Sequence, residues 1–331
     1  MRFALTEEQR GFAEVLDDLL AAADTPRVVR AWAQGDAGSG LKLWRRLAEV
    51  GVTGLLVPES HGGLGADEVD LVVAFEELGR HAVPGPWVES VALLPVALRA
   101  AAADRLLQGL VGGETPATVA VRDLTRYALD ADVATAFVLE DGTLRHGEPG
   151  ALHQSLDPAR RLFPLDARAE VATLDEGAVA KAVDTAVLAC AAQMLGAGER
   201  LLADAVRYAK QRKQFGRVIG EYQALKHALA DVRVALDFAR PLVYVAALSL
   251  RAGSPDASRD VSAAKVATGD AAYSAARTAL QVHGAIGYTA EYDLGLWITK
   301  TRALLTAWGT PAFHRGRVLD AITAAMPRVG A

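Results

Sequence analysis

A chain of 331 residues, 51% of them hydrophobic, carries enough apolar side chain for one large domain or two to three small ones on a shared core. Its 35 Lys and Arg against 40 Asp and Glu give a formal net charge of −5, and their mixing along the chain leaves no basic field for nucleic acid. A single cysteine, Cys190, excludes a disulfide framework and a cysteine-based metal site and fits a reducing, cytoplasmic setting.

In chain order, Met1-Arg2-Phe3-Ala4-Leu5 runs straight into charged residues, and no apolar stretch long enough to span a bilayer is expected, so neither export signal nor membrane anchor is read here. Thr6-Glu7-Glu8-Gln9 matches a capping box and predicts a helix to about Ala23. Further helical patterns cover roughly 41–50, 67–80 and 88–100, separated by Pro58, Gly62-Gly63, Gly65, Pro84 and Pro86. These define an all-α domain over residues 1–112. From 113 to 175 the pattern turns to a small β domain: runs at 117–121 and 133–139 suit strands, and Asp141-Gly142 is a hairpin signal. From 176 to 331 long helices return, over about 178–211, 221–251 and 255–282, with shorter ones near 291–305 and 311–325. Such lengths joined by short turns favour an antiparallel up-down bundle. The class expected is mainly α with a small β domain.

Arg212-Lys213-Gln214-Phe215-Gly216 closes the first long helix. A guanidinium offers a planar fork of donors suited to a pyrophosphate, and Gly216 lets the chain turn; the alternative is a solvated basic helix end that suits the helix dipole. Gln223 follows a turn at Gly220, either as a surface amide or as a ligand group. Gln281-Val282-His283-Gly284-Ala285-Ile286-Gly287-Tyr288 ends the third long helix, where glycine serves as a cap and also permits close approach of a ligand. His283 and His227 lack companions at metal-ligand spacing and read as structural or surface residues. No metal is expected.

Together with Leu5-Thr6-Glu7-Glu8-Gln9, Trp44-x-x-Leu47-Ala48-Glu49-x-Gly51, Pro58-Glu59, Gly62-Gly63-x-Gly65 and Glu76-Glu77-Leu78-Gly79-Arg80, this series resembles the acyl-CoA dehydrogenases across both helical regions. The resemblance implies that family's order of N-terminal helical domain, middle β domain and C-terminal four-helix bundle, with FAD as cofactor. It also implies that Arg212, Phe215, Gln223, Gln281 and Gly284 contact the distal half of a flavin held by a neighbouring subunit.

Other family features are missing. Where the family has Glu-Gly-Thr, with the glutamate as catalytic base, this chain reads Trp308-Gly309-Thr310, and Pro311-Ala312 follow where a polar residue normally helps bind the flavin. The alternative base position, a Glu-Arg pair on the first bundle helix, corresponds to Ala186-Val187. The middle domain is about half the family length and lacks the loop and strand that hold the isoalloxazine. The expectation is therefore a shortened, non-catalytic subunit of an α2β2 acyl-CoA dehydrogenase of the steroid side-chain type. A homologous partner would supply base and flavin cradle, and an electron-transferring flavoprotein is the family's usual acceptor. The alternatives are an autonomous enzyme with an atypical base such as Glu291 or Asp293, and a flavin-free structural subunit.

Overall fold

The computed structural model describes residues 4–325; Met1, Arg2 and Phe3, and with them the expected leaderless start, lie outside the described residues. Helix α1 (Glu7–Ala21) begins at the capping box: the Thr6 hydroxyl accepts from the Gln9 amide at 3.2 Å, and the Gln9 side chain accepts from the Thr6 amide at 3.1 Å. It stops short of Ala23, where the chain turns into Asp24 at φ 48°.

Helix α2 (Thr25–Ala33) follows in a stretch for which no element is expected from the sequence. Proline lies in its first turn, where the missing amide has no intrahelical acceptor to lose. Helices α3 (Gly38–Glu49) and α4 (Glu68–Arg80) come next. The expected helix over 88–100 is in fact a π-helical segment, Val88–Leu93, continued by α5 (Leu94–Ala100). Helix α6 (Asp104–Val111), also unexpected, completes the first helical region.

Strands β1 (Ala117–Val121), β3 (Thr135–Glu140), β4 (Thr143–Pro149) and β6 (Leu165–Thr173) form one sheet in the order β1-β3-β4-β6, while β2 (Ala128–Leu129) pairs with β5 (Leu162–Phe163). β1 and β3 are parallel and the other neighbours antiparallel. β3 starts two residues later than the expected run because Val133 closes a turn on the Asp130 carbonyl. Asp141 and Gly142 take φ of 50° and 71°, the left-handed pair of a two-residue hairpin that matches strand twist.

Helices α7 (Glu176–Gln211), α8 (Gln223–Arg251) and α9 (Ala257–His283) pack on one another, and α10 (Leu294–Thr306) and α11 (Pro311–Ala325) complete the C-terminal region. α7 is apolar and long enough to cross a bilayer, contrary to the sequence expectation, but 72% of that stretch is buried inside the fold. It is buried on nearly all sides because α4 covers one flank while α8 and α9 cover the others. Small residues make this possible. A Cβ at Gly196 would lie 1.8 Å from the Glu76 carbonyl oxygen, and one at Gly79 would lie 2.0 Å from that of Gln193, so the α4 and α7 backbones meet directly.

A charged network ties the same elements together. Arg240 on α8 bridges Glu76 on α4 and Glu199 on α7, and Glu199 also accepts two bonds of 2.7 Å from Arg233. Burial opposes both charges, yet the two guanidinium groups hold the Glu199 carboxyl below its usual range and the two carboxylates raise the Arg240 pKa.

Candidate functional site

The antiparallel run of α7, α8 and α9 brings the C-terminus of α7, the N-terminus of α8 and the C-terminus of α9 to one end of the bundle. Tyr208, near the end of α7, stacks on His283 at the end of α9 with ring centroids 4.3 Å apart. His283 is buried, its Nδ1 bonded to the Ala279 carbonyl at 2.7 Å and its Nε2 3.3 Å from the Tyr292 hydroxyl, so it is a packing residue.

Past α7 the chain forms a miniature hairpin, β7 (Lys213–Gln214) with β8 (Arg217–Val218). Its two turn residues, Phe215 and Gly216, take φ of 53° and 80°. A phenylalanine in the left-handed region is uncommon, and here its ring projects outward, 90% exposed. Arg212 sits at the helix end with its amide bonded to the Tyr208 carbonyl at 2.9 Å and its side chain exposed. Nearby arginines are engaged: Arg217 lies 4.1 Å over the Tyr222 ring, Arg207 pairs with Asp204, and Arg233 pairs with Glu199. Among the described residues, Arg212 has no ion-pair partner.

Gln223 is exposed at the first position of α8. Gln281 and Gly284 line a groove of about 810 Å³ with Leu225, Asp270, Arg277 and Tyr288. Gly284 holds φ 65°, and a Cβ built there would meet nothing within 4 Å, so open space faces the backbone. The fold therefore gathers all five residues at one end of the bundle and exposes them, but only Gln281 and Gly284 share a concave surface. Exposed, unpaired donors and an open backbone turn fit an extended, anionic dinucleotide approaching from outside the chain.

A second cavity, of about 500 Å³, lies between the β region and α10. It adjoins a smaller apolar one of about 340 Å³, with which it shares Leu156 and Arg302, and that one shares Tyr273, Arg277, Leu280 and Tyr288 with the groove. Trp308 forms part of its wall, 2% exposed, at φ 59°. His314 Nε2 donates to the Trp308 carbonyl at 2.9 Å while its Nδ1 faces the Ser262 hydroxyl at 3.2 Å. Burial pushes the His314 imidazole down to about 4, so it is neutral and holds this turn as a fixed donor. An indole cannot accept a proton from carbon. Ala186 and Val187, fully buried in α7, line none of these spaces.

Two other acids singled out by sequence are also absent from the cavity linings. Asp293 pairs with Arg30 at 2.6 Å, and Glu291 is exposed. The carboxylate that does line the 500 Å³ cavity is Glu89, which sequence reasoning passed over. It stands on the π-helical segment, 5% exposed, with Oε2 lacking a hydrogen-bond partner among the described residues. Burial pushes its carboxyl up to about 7, against a smaller opposing pull from Arg160. The available signal was an acid set inside the apolar run Trp87-Val88-Glu89-Ser90-Val91, which a regular helix would have left unexplained.

Among the described residues, one group approaches metal-ligand geometry: Asp17, Glu77 and His81. Their own bonds account for them, since His81 Nε2 lies 2.6 Å from Asp17 and Glu77 pairs with Arg80 at 3.1 Å.

Comparison with known proteins follows the same division of the chain. Residues 6–114 match the acyl-CoA dehydrogenase N-terminal domain and residues 177–323 its C-terminal domain. The acyl-CoA dehydrogenase IpdE2 of Mycobacterium tuberculosis is 35% identical over 304 residues, 89% of this chain and 91% of that one. Among solved structures, the ChsE4-ChsE5 complex of the same organism aligns with a TM-score of 0.83 at 22% identity, over 99% of this chain and 100% of that one. A steroid acyl-CoA dehydrogenase aligns with a TM-score of 0.82 at 23% identity, over 96% and 98%. The architecture is that of the same fold.

Proposed function

The chain belongs to the acyl-CoA dehydrogenase family, and from that premise we propose that it is the non-catalytic subunit of an FAD-dependent acyl-CoA dehydrogenase. The observation that carries the reading is an asymmetry. Arg212, Phe215, Gln223, Gln281 and Gly284 are exposed at one bundle end, whereas Trp308 fills the cavity wall at the position of the family's base. The chain reaches outward to a flavin and lacks a base of its own.

In the complete enzyme, α,β-dehydrogenation breaks the α C–H and β C–H bonds and forms a C=C bond. The proton goes to a carboxylate of the partner subunit, and the flavin supplies the hydride acceptor. This chain's part is to bind and orient. Arg212 would offer its guanidinium to the pyrophosphate, and Phe215, Gln223, Gln281 and the Gly284 backbone would help hold the rest of the distal half of the dinucleotide. An exposed apolar stripe on α8, Val234, Phe238 and Leu242 at 51%, 74% and 39% exposure, offers a face for a second subunit. An α2β2 assembly and a bulky, steroid-derived acyl-CoA are the finer form of the reading, supported by the likeness to a steroid acyl-CoA dehydrogenase and to a two-component complex. An electron-transferring flavoprotein as acceptor and a cytoplasmic setting complete it.

Co-expression with a homologous subunit that carries the catalytic carboxylate tests the proposal. The single chain is expected to be colourless and inactive, and the complex yellow and active. Arg212→Ala in the complex should weaken FAD retention at least about tenfold, the effect of losing one charge-assisted contact. A yellow single chain that turns over acyl-CoA unaided sinks the reading, and full flavin retention by the variant removes Arg212 from the site.

A further inference from the structure

The segment 284–293 joins α9 to α10 and carries the Gly284 turn and the Tyr288 wall of the groove. It is exposed along most of its length, and its own bonds are local: the Thr289 amide and hydroxyl both reach the Ile286 carbonyl, at 3.2 and 3.0 Å. An exposed turn with only local bonds keeps one shape when other elements hold it. Among the described residues, two side chains outside the segment do so. On one side, His283 Nδ1 donates to the Ala279 carbonyl, which leaves Nε2 to accept from the Tyr292 hydroxyl at 3.3 Å. On the other, one guanidinium nitrogen of Arg30, on α2, meets the Asp293 carboxylate at 2.6 Å and the Ala290 carbonyl at 3.2 Å. The base from which Arg30 reaches is itself fixed. Trp32 bonds Asp130 in the β region, and Val29 and Trp32 pack with Ala159, with Leu296 of α10 against them. Helix α2 thereby ties the β region and α10 to the segment between α9 and α10. Arg30 is not among the residues that line the groove.

We propose that Arg30 is a positioning residue for the flavin-contacting edge: by holding Asp293 and the Ala290 carbonyl it fixes the segment 284–293, and so the placement of Gly284 and Tyr288, without touching the cofactor. This role rests on the shared-flavin reading, and it gives Asp293 a part in holding that edge rather than in proton transfer. Two features favour it over a bond that serves stability alone. The side chains of Arg30 and Asp293 are 38% and 49% exposed, so the pair adds little to folding. The bond to Ala290 spans 260 residues of chain, so it constrains where the segment lies rather than how it is locally wound.

The test has a flavin-free arm and a flavin arm. Amide hydrogen exchange over 284–293 is followed in the full single chain, and FAD retention is measured in the complex with a homologous catalytic subunit. Arg30→Ala is expected to speed exchange in this segment at least about threefold while leaving exchange in α4 and the melting temperature nearly unchanged, and to weaken FAD retention about threefold. Arg30→Glu, which sets like charges against each other, should weaken retention about tenfold, and adding Asp293→Arg to it should restore retention to within about twofold of the parent. A merely structural loss lowers the melting temperature and is not reversed by exchanging the charges. Unchanged exchange over 284–293, faster exchange with full FAD retention, or failure of the charge exchange to restore retention overturns the proposal. Arg212→Ala, measured alongside, separates the two readings. If it weakens FAD retention and Arg30→Ala does not, the shared-flavin reading stands and the positioning role falls; if neither variant weakens it, both fall.

Discussion

Glu89 is held in a surrounding that disfavours its charge, and the sign of its contribution to stability follows. Burial raises the folded-state pKa to about 7, whereas in the unfolded chain the group titrates near 4.5. Between these values the folded state retains a proton that the unfolded state has lost, so stability falls as pH rises across that window. Asp130, buried and bonded by Trp32 at 2.9 Å, behaves alike between 3.8 and about 7. Glu89→Gln removes the ionisation. Urea unfolding of this variant should therefore show its stability relative to the parent improving by about 2–3 kcal/mol from pH 5 to pH 8. An equal difference at the two pH values would mean that Glu89 is solvated in the native state. At this scale the reading from sequence was uneven. Arg212 and Trp308 stand out by motif position, and the structure presents the first outward and the second inward. Glu89 was legible only as an acid inside an apolar run, because its burial depends on a π-helical segment packed against α7 and β1 and on a cavity it shares with Arg160 and Trp308.

Among the elements, α7 carries the most constraint. Its small residues let α4 approach until backbone meets backbone at Gly196 and Gly79. Gly196→Ala should destabilise the chain by about 1–3 kcal/mol, measured by denaturant midpoint, because a methyl at 1.8 Å from a carbonyl oxygen forces the helices apart. Gly11→Ala is the control: a Cβ there meets nothing within 4 Å, and the helix interior favours alanine by up to about 1 kcal/mol. Most long helices were legible because caps and periodicity are local. Helices α2 and α6 were not: nine and eight residues long, they rely on packing for their stability. Trp32 of α2 illustrates this, bonded to Asp130 in the β region.

For the whole molecule, an exposed apolar stripe on a helix face implies association. Phe238→Glu, at an exposed position on α8, should leave folding of the single chain unchanged and weaken assembly with the partner, read by sedimentation or size-exclusion chromatography. An unaltered complex would place the interface elsewhere. The sequence by itself determined the family resemblance, the order of helical, β and helical regions, and the absence of a carboxylate at Trp308 and Ala186, because these depend on residue identity and spacing along the chain. Only the tertiary structure decided that Arg212, Phe215, Gln223, Gln281 and Gly284 share one bundle end, that a lipid-spanning length of α7 is interior, and that Glu89 and three arginines line one cavity. Such features arise where segments far apart in sequence exclude water between them, and no local pattern records which segments will meet.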